Sequence, residues 1–347
     1  MSGFLVLEDG AVFRGRSVGA EGIAFGEAVF TTSMSGYQEI VTDPSYAEQL
    51  VCFTAPMVGN YGVADARSES RAVHARAVFM RRAGGEEWTR WLTGQGVVAL
   101  EEIDTRSLVL HLRERGAMRA AAVAGIASVD ELLARVRAQA PMTGRSLVAE
   151  VSTPKPYTVG RGGPHLAVID YGVKQSILGR ITKADGRVTV FPHDVDAQTV
   201  LAARPDGVLL SNGPGDPAAL PAHVDVVKEL LGRAPILGIC LGHQLLGLAA
   251  GLRTFKLPFG HRGANHPVLE IATNRVLVTS QNHGFAVEGD APEVTHVSLY
   301  DGTVEGLAIR GEGAQSLQFH PEAGPGPHDA WPLLEAWVEE LRLAEAA

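Results

Sequence analysis

The sequence predicts an α/β protein in two parts: a mixed α+β N-terminal domain, then a doubly wound, mostly parallel sheet. Three observations carry this. The chain has 347 residues, 46% of them hydrophobic, more than one compact core normally absorbs. A stretch rich in Pro, Gly and Ser/Thr interrupts it near the middle. Beyond that stretch, short apolar runs begin to alternate with helical segments.

Residues 1–151 are turn-rich. Strand-like runs occur at 4–7, 26–31 and 49–53, and helical patterns at 106–115 and 129–137, which together read as a mixed α+β domain. The segment STPKPYTVGRGGP at 152–164 is expected to be the linker, because Pro restricts its neighbours and Gly loosens the chain. From 165 to 347 the apolar runs at 165–169, 188–191, 207–210 and 235–240 fit buried parallel strands, the last leading directly into an apolar helix at 241–250. Ligands of such sheets gather at the carboxyl ends of the strands, so the residues just after each run matter most.

Composition excludes several function classes. The formal net charge is −9, and no basic block with interleaved aromatics is present, so nucleic acid is not an expected partner. The N-terminus has a short apolar run ended by Glu8 and Asp9, with no positive leader, so no signal peptide is expected. No apolar stretch approaches the ~20 residues of a membrane helix. A cytoplasmic protein is the expectation. The two cysteines, Cys52 and Cys240, form no CxxC pair, which suits a reducing compartment.

Cys240 is the outstanding residue. It follows a buried strand, precedes an apolar helix and sits in the frame Gly238-x-Cys240-x-Gly242, the thiol form of a nucleophile elbow. A tight turn there exposes the sulfur, while the helix start directs N–H groups and the positive dipole end at it, favouring thiolate. The N–H of Leu241 is placed to hold an oxyanion. Cys52, in an apolar strand run without flanking glycine, reads as core.

A thiol nucleophile needs a base, and the base needs an acceptor to fix its tautomer. The downstream segment SLQFHPE offers His320 at a strand end and Glu322 two residues on, with Pro321 restricting the backbone between them.

These motifs resemble those of the class I, triad glutamine amidotransferases, in which GxCxGHQ supplies the nucleophile and HPE completes the triad. Further blocks resemble the small subunit of carbamoyl phosphate synthetase: TSMSGYQEIVTDPSY (32–46), GNYG (59–62), DTR (104–106), SNGPGDP (211–217), FGHRGANHP (259–267) and SQNHGF (280–285). Together they span nearly the whole chain, and the N-terminal blocks distinguish this family from others sharing the triad domain.

The resemblance implies a swivelling-type N-terminal domain at 1–151 that contacts a partner and contributes to the glutamine pocket, and a class I glutamine amidotransferase domain at 165–347. It implies Cys240, His320 and Glu322 as the catalytic triad. For L-glutamine binding it implies Ser45, Gly213, Gly215, Leu241, Gln244, Asn282, Gly284 and Phe285. Ammonia would pass to a large subunit, where ATP and Mg would be bound. No cofactor or metal is expected on this chain, and the expected assembly is a heterodimer open to higher association. Pro258 and Gly324 depart from residues frequent in the family, Lys and Ser, at positions that flank the motifs and leave the triad intact.

Other signals point elsewhere or nowhere. The run Gly213-Pro-Gly-Asp-Pro-Ala218 formally matches a dinucleotide fingerprint, but Pro214 and Pro217 spoil the helix start such a site requires. No phosphate loop of the GxxxxGK type occurs. His261, His266 and His283 lack the spacing of a metal motif, and Asp104 with Arg106 reads as a structural or interface pair. The rival readings are a glutaminase subunit of another synthase and a catalytically silent regulatory module.

Overall fold

The short apolar runs of the N-terminal region are strands because alternate residues can be buried on a common face. In the computed structural model, which describes residues 2–289 and 293–346, they form a closed barrel. The chain divides into two compact units, Met1–Arg145 with Pro258–Gly263, and Ser146–Leu257 with Ala264–Ala347.

The first unit contains, in chain order, β1 (Ser2–Leu7), β2 (Val12–Ser17), β3 (Gly22–Thr31), α1 (Tyr37–Thr42), β4 (Gln49–Phe53), β5 (Ala77–Phe79), α2 (Glu86–Gly94), β6 (Val98–Glu101), α3 (Thr105–Arg115), β7 (Met118–Ala124) and α4 (Val129–Ala138). The barrel order is β1-β2-β6-β5-β4-β3-β7. Leu5 and Leu7, Leu50 and Cys52, Ala77 and Phe79, Val98 and Leu100, and Ala120 and Ala122 share one face with Leu108 and Leu112 of α3, the period-two pattern of strands packed on a helix. Cys52 is thus a core thiol, pushed up from its ordinary pKa by burial. Asp104 caps α3, its Oδ1 accepting from Ser107 N at 3.1 Å, and Gly116 ends the helix at φ 95°. In the same unit Ala117 N donates to Pro258 O at 2.7 Å and Phe259 stacks on Phe30.

The second unit contains α5 (Val148–Val151), β8 (Tyr157–Val159), β9 (His165–Asp170), α6 (Gln175–Lys183), β10 (Arg187–Pro192), α7 (Ala197–Ala202), β11 (Gly207–Leu210), α8 (Pro221–Leu230), β12 (Ile236–Ile239) and α9 (Leu241–Ala249). It continues through β13 (Arg253–Glu270), β14 (Arg275–Glu288), β15 (Val294–Ser298), β16 (Val304–Ile309), β17 (Ala314–Leu317) and α10 (Trp331–Ala346). Its sheet runs β14-β13-β15-β16-β17-β12-β11-β9-β10-β8, with β10, β9, β11, β12 and β17 mutually parallel. Residues 165–170, 207–210 and 236–239 are buried throughout because helices cover both faces. Ala167, Ile169, Val208, Leu210 and Ile236 pack with α7, α8 and α9, whereas Leu166, Val168, Leu209, Leu237 and Ile239 pack with α6 and α10.

Two details differ from the sequence reading. Residues 152–164 do not form a bare linker: β8 lies within them and pairs antiparallel with β10, and the division between units falls at Arg145 and Ser146. That strand has only three residues set among Pro and Gly, too short a run to stand out in the sequence. The strand expected to end at His320 ends instead at Leu317, and His320 forms an isolated bridge with Ser280.

Candidate active site

Cys240 stands between β12 and α9 at φ 54° and ψ −103°, a conformation that costs a non-glycine residue energy and that surrounding structure must enforce. The enforcement comes from close packing. A Cβ on Gly238 would lie 2.6 Å from Gly242 O, and one on Gly242 would lie 2.1 Å from Leu210 O, so only glycine fits on either side. The Cys240 N–H is held by Leu317 O at 2.9 Å, which ties the elbow to the end of the neighbouring strand.

That strand leads to His320. His320 Nδ1 lies 2.7 Å from Glu322 Oε1, so the carboxylate fixes the tautomer and leaves Nε2 as the ring atom available to sulfur. The same Oε1 accepts from Lys174 Nζ at 2.9 Å, and Lys174 also donates to Gly324 O at 2.8 Å. Trp331 Nε1 donates to the Glu322 carbonyl at 2.9 Å. Cys240, His320, Glu322 and Lys174 are all buried, so the sulfur that the turn was expected to expose is instead covered. In this state the thiol donates to Asn282 O at 3.6 Å.

Burial alone would lower the His320 pKa. The Glu322 carboxylate outweighs burial and the opposing Lys174 charge, with added help from its hydrogen bond to the ring, so the imidazole is held above its ordinary value. For Glu322, burial would raise the pKa, but the Lys174 ammonium and then His320 reverse this, and the carboxyl is held well below its usual range. The result is a buried cluster in which Glu322 engages Nδ1 of the imidazole and Nε2 has no hydrogen-bond partner among the described residues.

Most of the sequence-derived glutamine residues gather around this elbow. Asn282, Gly284 and Phe285 lie on β14, with Asn282 O on the thiol. Gln244, one helical turn beyond Cys240, donates from Nε2 to Phe285 O at 2.8 Å. Gly213 lies against Leu241: a Cβ there would stand 2.9 Å from Leu241 Cδ2 and 2.2 Å from Tyr171 O. Gly215, at φ 96°, bridges Ser146. Ser45 belongs to the first unit, buried in the turn Pro44–Tyr46, where its N–H donates to Asp43 Oδ1 at 2.9 Å.

The Gly-Pro-Gly-Asp-Pro run leads into the short turn Pro217–Ala219, capped by Asp216, and α8 begins only at Pro221. Its glycines therefore do not open a helix. His283 Nδ1 donates to Phe285 O at 2.7 Å, and the His266 ring packs edge-on against Tyr300. Of the two family departures, Gly324 engages Lys174 and Pro258 engages Ala117 through backbone oxygen, which the side-chain change leaves in place.

Lys174 and Gln318 were not singled out by sequence. Lys174 follows β9 by four residues, and the carboxyl ends of parallel strands are where such groups are expected. Gln318 lies just before the HPE motif, where nothing in the sequence separates it from an ordinary strand residue.

Residues 5–122 match the family described as "Carbamoyl-phosphate synthase small chain, CPSase domain", and residues 167–339 match "Glutamine amidotransferase class-I". A carbamoyl phosphate synthase small chain of Chlorobaculum tepidum is 47% identical over 352 residues, covering 96% of this chain and 96% of its own. The chain belongs to the carbamoyl phosphate synthase small chain family. Small chains of Vibrio vulnificus, 44% identical with 98% of each chain covered, and of Listeria monocytogenes, 44% identical with 97% and 96% covered, are similar throughout. This chain is accordingly an enzyme subunit of the glutamine-hydrolysing kind, with the family's leading domain and a class I amidotransferase fold. Among the described residues no helix is long and apolar enough to cross a membrane.

Proposed function

We propose that Cys240, His320 and Glu322 form the triad that releases ammonia from L-glutamine, and that the ammonia passes to a large, ATP-dependent carbamoyl phosphate synthase subunit that uses bicarbonate. One observation carries the reading: Glu322 holds Nδ1 of an imidazole whose backbone segment is tied to the strained thiol elbow.

The Cys240 thiolate attacks the carboxamide carbon, and the developing oxyanion is met by the Leu241 N–H and backbone near Gly213. His320 gives its proton from Nε2 to the leaving nitrogen, which departs as ammonia and leaves a thioester on sulfur. Water then attacks as His320 takes its proton, and glutamate leaves with the thiol restored. Glu322 keeps the imidazole oriented and favours its charged form throughout, and Lys174 holds Glu322.

Gln244, Asn282, Gly284, Phe285, Gly213 and Gly215 provide acceptors and backbone groups for the ammonium and carboxylate of the amino acid, and the resemblance assigns Ser45 to the same set. On this reading the chain uses no cofactor or metal of its own, and ATP and Mg belong to the large subunit. A heterodimer is the minimal assembly, in the cytoplasm.

Cys240→Ser in the complex with the large subunit tests this. Glutamine-dependent carbamoyl phosphate synthesis should vanish while ammonia-dependent synthesis persists; survival of both would remove Cys240 from the mechanism. The match of residues 5–122 favours this partner over that of another synthase. Trapping of Cys240 by a glutamine-like chloroketone separates an active glutaminase from a silent module.

A further inference from the structure

We propose that Gln318 is a positioning residue for substrate selection: it fixes the side-chain amide of Gln244 so that an acceptor oxygen is presented to the α-ammonium of the substrate. The proposal rests on the reading above that Gln244 belongs to the glutamine-binding set.

Gln244 follows Cys240 by one turn of α9, its N–H bonded to Cys240 O at 3.2 Å, so the two side chains share a helix face. Its Nε2 has two hydrogens. One goes to Phe285 O at 2.8 Å and the other to Gln318 Oε1 at 3.0 Å. Phe285 O is a carbonyl and can only accept, so the Gln244 atom facing it must be nitrogen, which settles which way the amide is turned. Both donors are then committed, and Oε1 is the atom left to present. An oxygen selects for a donor, and the α-ammonium is the donor that distinguishes free glutamine from a simple amide.

Gln318 has the marks of a residue kept for this one bond. It is fully buried, its own Nε2 has no hydrogen-bond partner among the described residues, and its backbone N–H is held by Glu305 O at 2.9 Å. A buried donor without a partner is costly, and a hydrophobic side chain would avoid that cost. Turning the Gln318 amide over would place nitrogen against the Gln244 nitrogen, so the orphan donor is forced by the orientation of Gln244. Gln318 also precedes His320 by two residues, which links recognition of the amino acid to the segment carrying the base.

The test compares glutamine with glutaramate, which has the same carboxamide and carboxylate but no α-ammonium, in the glutaminase reaction of the assembled two-subunit complex. Gln318→Met should raise KM for glutamine about tenfold, the usual scale for one buried hydrogen bond, with kcat little changed. KM for glutaramate should barely move, so the preference for glutamine should fall by the same factor. Gln318→Glu keeps an acceptor oxygen and should retain the preference; Gln318→Asn withdraws it and provides a second variant should the Met protein not fold. An unaltered rate of Cys240 alkylation by iodoacetamide would show that the elbow is intact.

If Gln318→Met and Gln318→Asn keep the full preference, or lose both substrates equally, the proposal is wrong. Gln244→Leu separates the two levels. Should it also keep the preference, the assignment of Gln244 fails; should it alone lose it, only the role of Gln318 fails.

Discussion

Lys174 Nζ stands 2.9 Å from Glu322 Oε1, the same oxygen that faces His320 Nδ1 at 2.7 Å. Both charged side chains are buried, so neither can recover hydration when the other is removed. Lys174→Met should therefore destabilise the protein by about 3–5 kcal/mol, the range for breaking a buried pair, read from urea unfolding. Because the Lys174 charge opposes protonation of His320, its loss should also move the acid limb of the kcat profile to higher pH. A limb that stays put or moves down would separate Lys174 from the base.

Glu322→Gln keeps an oxygen for the imidazole and removes the charge. The folded-state pKa of Glu322 is depressed, so its contribution to stability is present above its ordinary 4.5 and is lost as pH falls through the lower folded value. The folded-state pKa of His320 is raised, so its contribution is complete below its ordinary 6.5 and is lost as pH rises towards the higher folded value. The difference in thermal midpoint between the native protein and Glu322→Gln should be widest between pH 4.5 and 6.5 and shrink on both sides. A difference constant from acid to alkaline pH would mean that the pair does not titrate as a unit.

The elbow makes a steric prediction. A methyl group on Gly242 would meet the Leu210 carbonyl at 2.1 Å, and main chain inside a sheet has little room to yield. Gly242→Ala should cost at least about 1–3 kcal/mol and reduce glutamine turnover together with Cys240 alkylation. Gly179, within α6, has open space around its missing Cβ, and Gly179→Ala should instead stabilise by about 0.5–1 kcal/mol with turnover unchanged. Equal outcomes for the two variants would discredit the packing argument.

The sequence revealed the elements that announce themselves locally. Residues 236–239 are apolar because they lie between two helical layers, and the glycines around Cys240 are required by backbone approaching within van der Waals distance, so both leave a mark on composition. The His-Pro-Glu spacing likewise anticipated the Nδ1 contact to Glu322. Barrel closure by pairing of β1 with β7 was not legible, because pairing partners leave no signature within either strand. Lys174 escaped for the same reason: a lysine after a strand looks solvated until folding brings it, from 148 residues away along the chain, to a buried carboxylate. The strand at Tyr157–Val159 was hidden by flanking Pro and Gly, which an edge position tolerates and an interior one does not.

The hydrogen bond from Cys240 N to Leu317 O has a wider meaning. It makes the separation of Cys240 and His320 depend on the alignment of two adjacent strand tips, since a slip of one residue would shift one tip by about 3.3 Å and turn its side chains over. A change elsewhere in the molecule that shifts β17 against β12 would therefore be felt at Cys240 and His320, even one that touches neither side chain.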